Sequence, residues 1–214
     1  MAKTNSVITI GRQYGSGGRA IGRMLAERLE VPYYDKELLT EAAKQSGISE
    51  ELFENLDERP TRSLLFSLVT GAQTGLSEGG FYMDMPLNHR VFLAQFDAIR
   101  RIANEGPCVL VGRCADYVLR DHPNLISVFI KADMSARVAR AIERGADPLK
   151  AEDVVRKADK QRASYYNYYS TSTWADITNY DICVDSSRLG YEGACDLLAD
   201  FIAIREKRVR EARK

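Results

Sequence analysis

Several things are scarce in this 214-residue chain. It has no net charge, because 30 basic and 30 acidic residues cancel. No global field therefore draws it to nucleic acid or an anionic membrane, and charge-driven chemistry has to be local. Histidine occurs only as His89 and His122, and the cysteines Cys108, Cys114, Cys183 and Cys195 stand far apart with no C-x-x-C pair. This argues against a histidine–cysteine metal cage and a disulfide framework, and for buried reduced thiols. Long apolar runs are missing as well: none approaches the ~18 residues of a membrane span. The opening "MAKTNSVITI" lacks the basic start and longer apolar core of a secretory leader. A single cytoplasmic domain, with neither membrane nor nucleic acid as partner, is the expectation.

Short apolar runs at Val7 to Ile10, Val31 to Tyr34, Cys108 to Val111, Ile126 to Ile130 and Ile182 to Val184 are continuous, as in strands covered on both faces. Helical patterns separate them. Ala20, Ile21, Met24, Leu25 and Leu29 share one face, as do Phe92, Phe96, Ile99 and Ala103; Ala136, Val138, Ala139 and Ile142 form a looser set. Asp147-Pro148 reads as a helix start, and Gly190 as a turn before a last helix over 191–210. Residues 57–90 are the least regular part, rich in breakers. The alternation predicts an α/β sheet with helices on both faces and a ligand crevice at the carboxyl ends of the strands.

One further absence is the most informative. The run "GRQYGSGGRAIG" follows the first strand and offers Gly15, Gly17 and Gly18, which let backbone N–H groups approach an anion at the start of a helix. In a G-x-x-x-x-G-K-[ST] phosphate loop a lysine and a hydroxyl would follow; here Gly18 takes the lysine's place, Arg19 comes one residue later, and Ala20 replaces the hydroxyl. The same residues satisfy G-x-G-x-x-A, and Asp35 falls 20 residues after Gly15, as in a dinucleotide-binding fingerprint. Against an NAD(P)-dependent oxidoreductase stands the loop's length, with Gly11 to Tyr14 lying between the strand and the first of these glycines. A wrapping loop favours a nucleoside triphosphate.

The run "GPCVLVGRCADYVLRDHPNLISVFIKADMSARVARAIERG" reads as strand, Gly-Arg turn, short helix, strand and arginine-bearing helix. Together with "ITIGRQYGSGGRAIGRMLAERLEVPYYDKELL" and "DKQRASYYNYYSTSTWADITNYDICVDSSRLG", it resembles the cytidylate kinase-like family of P-loop proteins over nearly the whole chain. The resemblance implies a three-layer α/β/α P-loop fold with a five-stranded parallel sheet. It places the core at about 1–35 and 106–214, a helical acceptor subdomain at about 36–105 and a helical lid at about 145–178. It also implies transfer of the ATP γ-phosphate to a small phosphorylated acceptor, CMP or dCMP first, with ATP and Mg²⁺ as cofactors and nucleotides as partners. A nucleotide-binding regulator with little catalysis is the alternative within the same fold, motivated by Gly18, Ala20 and Val111.

Phosphoryl transfer needs cations around oxygens that gain charge. Arg19, or else Arg12, is expected to replace the lysine; a surface salt bridge is the competing reading of Arg19. Gly15, Ser16, Gly17, Gly18 and Ala20 complete the ATP-binding loop. Ala20 cannot ligate Mg²⁺ and Ser16 is not at the matching position, so phosphates and water would hold the ion. Arg113 in the Gly-Arg turn suits the acceptor, because guanidinium grips phosphate or a base edge with two parallel bonds. Asp116, one helical turn on, is expected at the acceptor or else to pair with Arg113 or cap a helix, and Asp35 to contact the acceptor or cap the helix after it. Arg137 and Arg140 share a helix face and, through the resemblance, enter the lid with Lys160 and Arg162. Gln95 and Arg100 are expected on an exposed helix face, Arg100 being the better phosphate partner. "YYNYYSTSTW" offers rings for stacking a base or for packing.

Overall fold

The computed structural model describes residues 4–35 and 87–212. Strands β1 (Val7–Arg12), β2 (Tyr33–Tyr34), β3 (Cys108–Val111), β4 (Leu125–Lys131) and β5 (Ile182–Asp185) form one sheet in the order β2-β3-β1-β4-β5. Every pairing is parallel. Helices α1 (Gly18–Leu29), α2 (Leu87–Glu105), α3 (Ala115–Val118), α4 (Met134–Glu143), α5 (Ala151–Tyr169) and α6 (Ser186–Ala212) surround it.

Alternation along each strand builds the layers. On one face, Ile8, Ile10, Val109, Val111, Ile126, Val128 and Ile130 pack with Ile21 and Leu25 of α1 and Leu198 and Ile202 of α6. On the other, Val7, Cys108 and Leu110 meet Ile99 and Ile102 of α2 and Val118 of α3. Each such side chain, when fully buried, stabilises the fold by about 1.5–3 kcal/mol, so the continuous apolar runs commit these strands to the interior. This is a three-layer α/β/α P-loop fold.

All five expected strands form, although β2 keeps only Tyr33–Tyr34 of the run Val31 to Tyr34. β1 runs two residues farther than the apolar stretch, because Gly11 and Arg12 pair with Phe129 and Ile130 of β4. That leaves Gln13 and Tyr14, not four residues, between strand and Gly15. Asp147 does not cap α5: its Oδ1 accepts the Leu149 N–H in a turn, and the helix starts at Ala151. Gly190, with φ 69° and ψ −175°, breaks the helical path inside α6, so the continuous last helix begins after it. The acceptor subdomain expected at 36–105 falls largely outside the described residues, as does the helix expected after Asp35; only α2 is seen.

Candidate active site

The glycine loop joins β1 to α1 and is held from behind. Gln13 donates its N–H to Ile130 O at 3.0 Å and its Oε1 accepts the Ala132 N–H at 3.1 Å, pinning the loop's entry to β4. Three successive carbonyls then accept from outside: Tyr14 O from Arg137 Nε at 2.9 Å, Gly15 O from an Arg140 guanidinium nitrogen at 2.9 Å, and Ser16 O from Ser186 Oγ at 2.5 Å. In a trans peptide the following N–H points opposite to the carbonyl. Gly15 and Gly17 therefore turn their N–H groups away from Arg137 and Ser186, while Ser16 returns its own to Gln13 O. Gly17 is the N-cap of α1 with φ 84° and supplies no capping side chain. The first N–H groups of α1 thus remain for an anion.

The glycines are also dictated by what lies beneath them. A Cβ on Gly17 would come 2.2 Å from Tyr191 Cε1, and one on Gly18 2.6 Å from Arg12 Cβ. The guanidinium of Arg140 lies 4.8 Å above the Tyr191 ring, completing the support.

Arg12, Arg19, Arg144 and Arg162 line the cavity over the loop, together with Gln13, Tyr14, Gly15, Gly17 and Gly18. Among the described residues no carboxylate lines it, so the cavity is electropositive in both its side chains and its backbone dipoles. Arg19 Nε pairs with Asp35 Oδ2 at 2.7 Å, so the salt bridge forms, although the half-exposed Arg19 still borders the cavity. Arg12 is buried and crosses Gly18; Arg162 donates to Arg12 O at 3.2 Å and lies 5.8 Å from the Tyr14 ring centroid. Arg137, expected to face the reaction, is buried instead behind the loop in an ion pair with Asp159. Burial lowers its basicity and the Asp159 charge opposes that. Arg140 likewise serves the loop's outer side.

A second cavity opens beside the first, at the carboxyl ends of β1 and β3. Gly11, Arg12, Gly112, Arg113, Cys114, Asp116 and Arg162 line it on one side, and Tyr165, Tyr166, Trp174 and Tyr180 on the other. The turn after β3 holds Gly112, Arg113 and Cys114 in succession at positive φ (78°, 56° and 57°). Left-handed backbone costs a non-glycine residue about 1–2 kcal/mol. Here it turns the fully buried Arg113 side chain back so that a guanidinium nitrogen donates to Asp35 Oδ1 at 3.4 Å and Val111 O at 3.3 Å. Asp35 thus holds both Arg19 and Arg113 and lines neither cavity. A carboxylate engaged by two arginines is poorly placed to bind a ribose, which weighs against the dinucleotide reading. Asp116 accepts the Tyr166 hydroxyl at 2.6 Å; burial pushes its carboxyl above the ordinary value, and Tyr166 opposes the shift. Burial and the Asp116 charge push the Tyr166 phenol up in turn.

Other sequence expectations fall outside both cavities. Lys160 is exposed on α5. Arg100 is exposed, its guanidinium 4.5 Å over the Phe96 ring. Gln95 is buried, not exposed, because its Oε1 accepts the Tyr165 hydroxyl at 3.0 Å and joins α2 to α5. Arg144 was not anticipated, nor were Asp159, Ser186 and Tyr191 behind the loop. Only the Asp159–Arg162 spacing of one helical turn hinted that Asp159 shares a face with a cavity residue.

The loop fits a polyphosphate, but it supplies no metal ligand: Ala20 has no donor, and the Ser16 hydroxyl donates to Gln13 O at 2.9 Å. Among the described residues no three His, Cys, Asp or Glu side chains converge. Within the loop itself, a Mg²⁺ ion would rest on phosphate oxygens and water.

The parallel sheet and its glycine loop define a P-loop domain. The chain belongs to the cytidylate kinase-like family, whose model matches residues 7–188. It is 25% identical over 194 residues to a cytidylate kinase of Methanosarcina barkeri, covering 89% of this chain and 93% of that one. A cytidylate kinase of Methanopyrus kandleri is 26% identical over 198 residues, 88% of each chain. A solved structure of an uncharacterized protein from Eubacterium ventriosum superposes with TM-score 0.69 at 31% identity over 92% of this chain and 98% of that one. Shikimate kinase from Bacteroides thetaiotaomicron shares the fold, with TM-score 0.54 at 15% identity over 92% and 98%.

Proposed function

We propose that the protein is a nucleoside monophosphate kinase-like phosphotransferase that moves the ATP γ-phosphate to a small phosphorylated acceptor, CMP or dCMP first. One observation carries the reading: the electropositive loop cavity and the aromatic cavity meet, and Arg12 and Arg162 line both. Two anions seated side by side would have these guanidiniums at their junction, where charge spreads over the transferred group.

An acceptor phosphate oxygen attacks the γ-phosphorus, a new O–P bond forms, the bond to the β–γ bridging oxygen breaks, and ADP leaves. The loop N–H groups and the start of α1 hold the β- and γ-phosphates. Arg12 and Arg162 screen the attacking and transferred oxygens from each other, and Arg162 closes the site from α5. Arg113 receives the acceptor phosphate or base edge, Asp116 gives the pocket its polar mark, and the tyrosines and Trp174 cover the acceptor's flat face. No side chain has to remove a proton, since the acceptor oxygen is already ionised. Mg²⁺, carried in with ATP, supplies further screening of the phosphates. The names of the archaeal relatives support cytidylate as acceptor.

The test is ADP release from ATP and Mg²⁺ with a panel of nucleoside monophosphates, in wild type and Arg162→Ala. Stimulation by a cytidine monophosphate and a loss of about 100-fold or more in kcat for the variant are expected. ATP binding with no acceptor response would instead favour a nucleotide-binding regulator.

A further inference from the structure

Tyr14 is held at both ends of its backbone by side chains from two other elements. Its N–H donates to Asp159 Oδ1 at 2.7 Å and its carbonyl accepts from Arg137 Nε at 2.9 Å. The other oxygen of Asp159 receives the Arg137 guanidinium, closing a ring of three residues. Asp159 stands on α5, the expected lid helix, and Arg137 on α4, and neither lines the loop cavity. One turn along α5, Arg162 donates to Arg12 O, so the same helix grips the chain on both sides of Gln13.

We infer that Asp159 is the positioning residue through which α5 sets the curvature of the phosphate loop, and with it the loop's affinity for polyphosphate. The inference deepens the kinase reading and rests on its account of the loop as a phosphate cradle. Burial is the main influence on the Asp159 carboxyl and pushes it upward, against the Tyr14 N–H and Arg137. A half-buried carboxylate is costly to desolvate unless its bonds are made. Without the Asp159 carboxylate, Tyr14 loses its N–H partner and Arg137 its counter-charge, so the carbonyl of Tyr14 is no longer fixed outward. The N–H of Gly15, which points opposite to that carbonyl, then loses its aim at the phosphates. Polyphosphate, by holding that amide inward, favours in return the bonds that Asp159 makes to Tyr14 and Arg137, as linkage requires.

The probe is inorganic tripolyphosphate, which binds the loop without using the acceptor pocket, titrated calorimetrically into wild type, Asp159→Ala and Asp159→Asn. Asp159→Ala should bind about tenfold more weakly, with faster amide exchange at residues 14–18. Asp159→Asn, which keeps an acceptor for the Tyr14 N–H but loses the charge, should lie between. With ATP as substrate, KM should rise more than kcat falls. A merely structural aspartate would lower the melting temperature and leave affinity within about twofold in the folded variants; that result overturns the inference while the cradle stands. Should Asp159→Ala fail to fold, Asp159→Asn decides by the same criterion. Failure of the wild type itself to bind tripolyphosphate removes the cradle reading and this inference with it.

Discussion

Gly17 and Asp116 show how single residues trade stability for a site. At Gly17 both the φ of 84° and the Tyr191 ring exclude a side chain. Gly17→Ala should cost about 1–3 kcal/mol, measured by urea denaturation, and abolish tripolyphosphate binding. Adding Tyr191→Ala should recover part of the stability, because it removes the clash but not the backbone strain. Asp116 is the opposite case, a carboxyl whose charged form is penalised by burial. Since its folded pKa is raised, the favourable contribution is full below the unfolded value of 3.8 and is lost as pH rises through the folded one. Asp116→Asn should therefore stabilise the protein at pH 7.5 more than near pH 4, in melts across that range, while weakening acceptor binding. The sequence marked both residues, Gly17 through its motif and Asp116 through the Gly-Arg turn. It could not show that Tyr191 would lie under Gly17 or that Tyr166 would bond Asp116, because both contacts cross the fold.

At the scale of elements, the strands were legible because buried parallel strands are apolar on both faces, and β1 was underestimated because Gly11 and Arg12 are recruited by β4, not by their own character. The roles of α4 and α5 were legible only in part. Arg137 and Arg140 on one face read as lid cations, yet the curvature of the loop brings its carbonyls to them, which no local pattern encodes. A similar long-range tie fixes the entry to β1: Glu206 on α6 accepts the Thr4 and Ser6 hydroxyls and the Asn5 N–H. Burial pushes its carboxyl up, but these bonds outweigh it and hold the group below its ordinary value. Its contribution is therefore present at neutral pH and lost as pH falls through the depressed folded value. Glu206→Ala should cost about 1–3 kcal/mol at pH 7 and speed amide exchange at residues 4–8, with a smaller difference from wild type in acid.

Across the whole molecule, five parallel strands end at one edge and deliver two cavities to it, one cationic and one aromatic, joined by Arg12 and Arg162. The missing lysine is thereby placed in context: the cavity's cations come from the end of β1, from α5 and from Arg144 just after α4, and Arg19, its nearest replacement in sequence, borders the cavity while paired with Asp35. Double-sided cation supply predicts that Arg12→Ala and Arg162→Ala each depress kcat more than they weaken ATP binding. The most direct test of this account is ³¹P NMR of the protein with ATP, Mg²⁺ and CMP. Growth of a cytidine diphosphate β-phosphorus signal in equal amount with ADP is the predicted result; release of inorganic phosphate alone, or an unchanged spectrum with ATP bound, would contradict it.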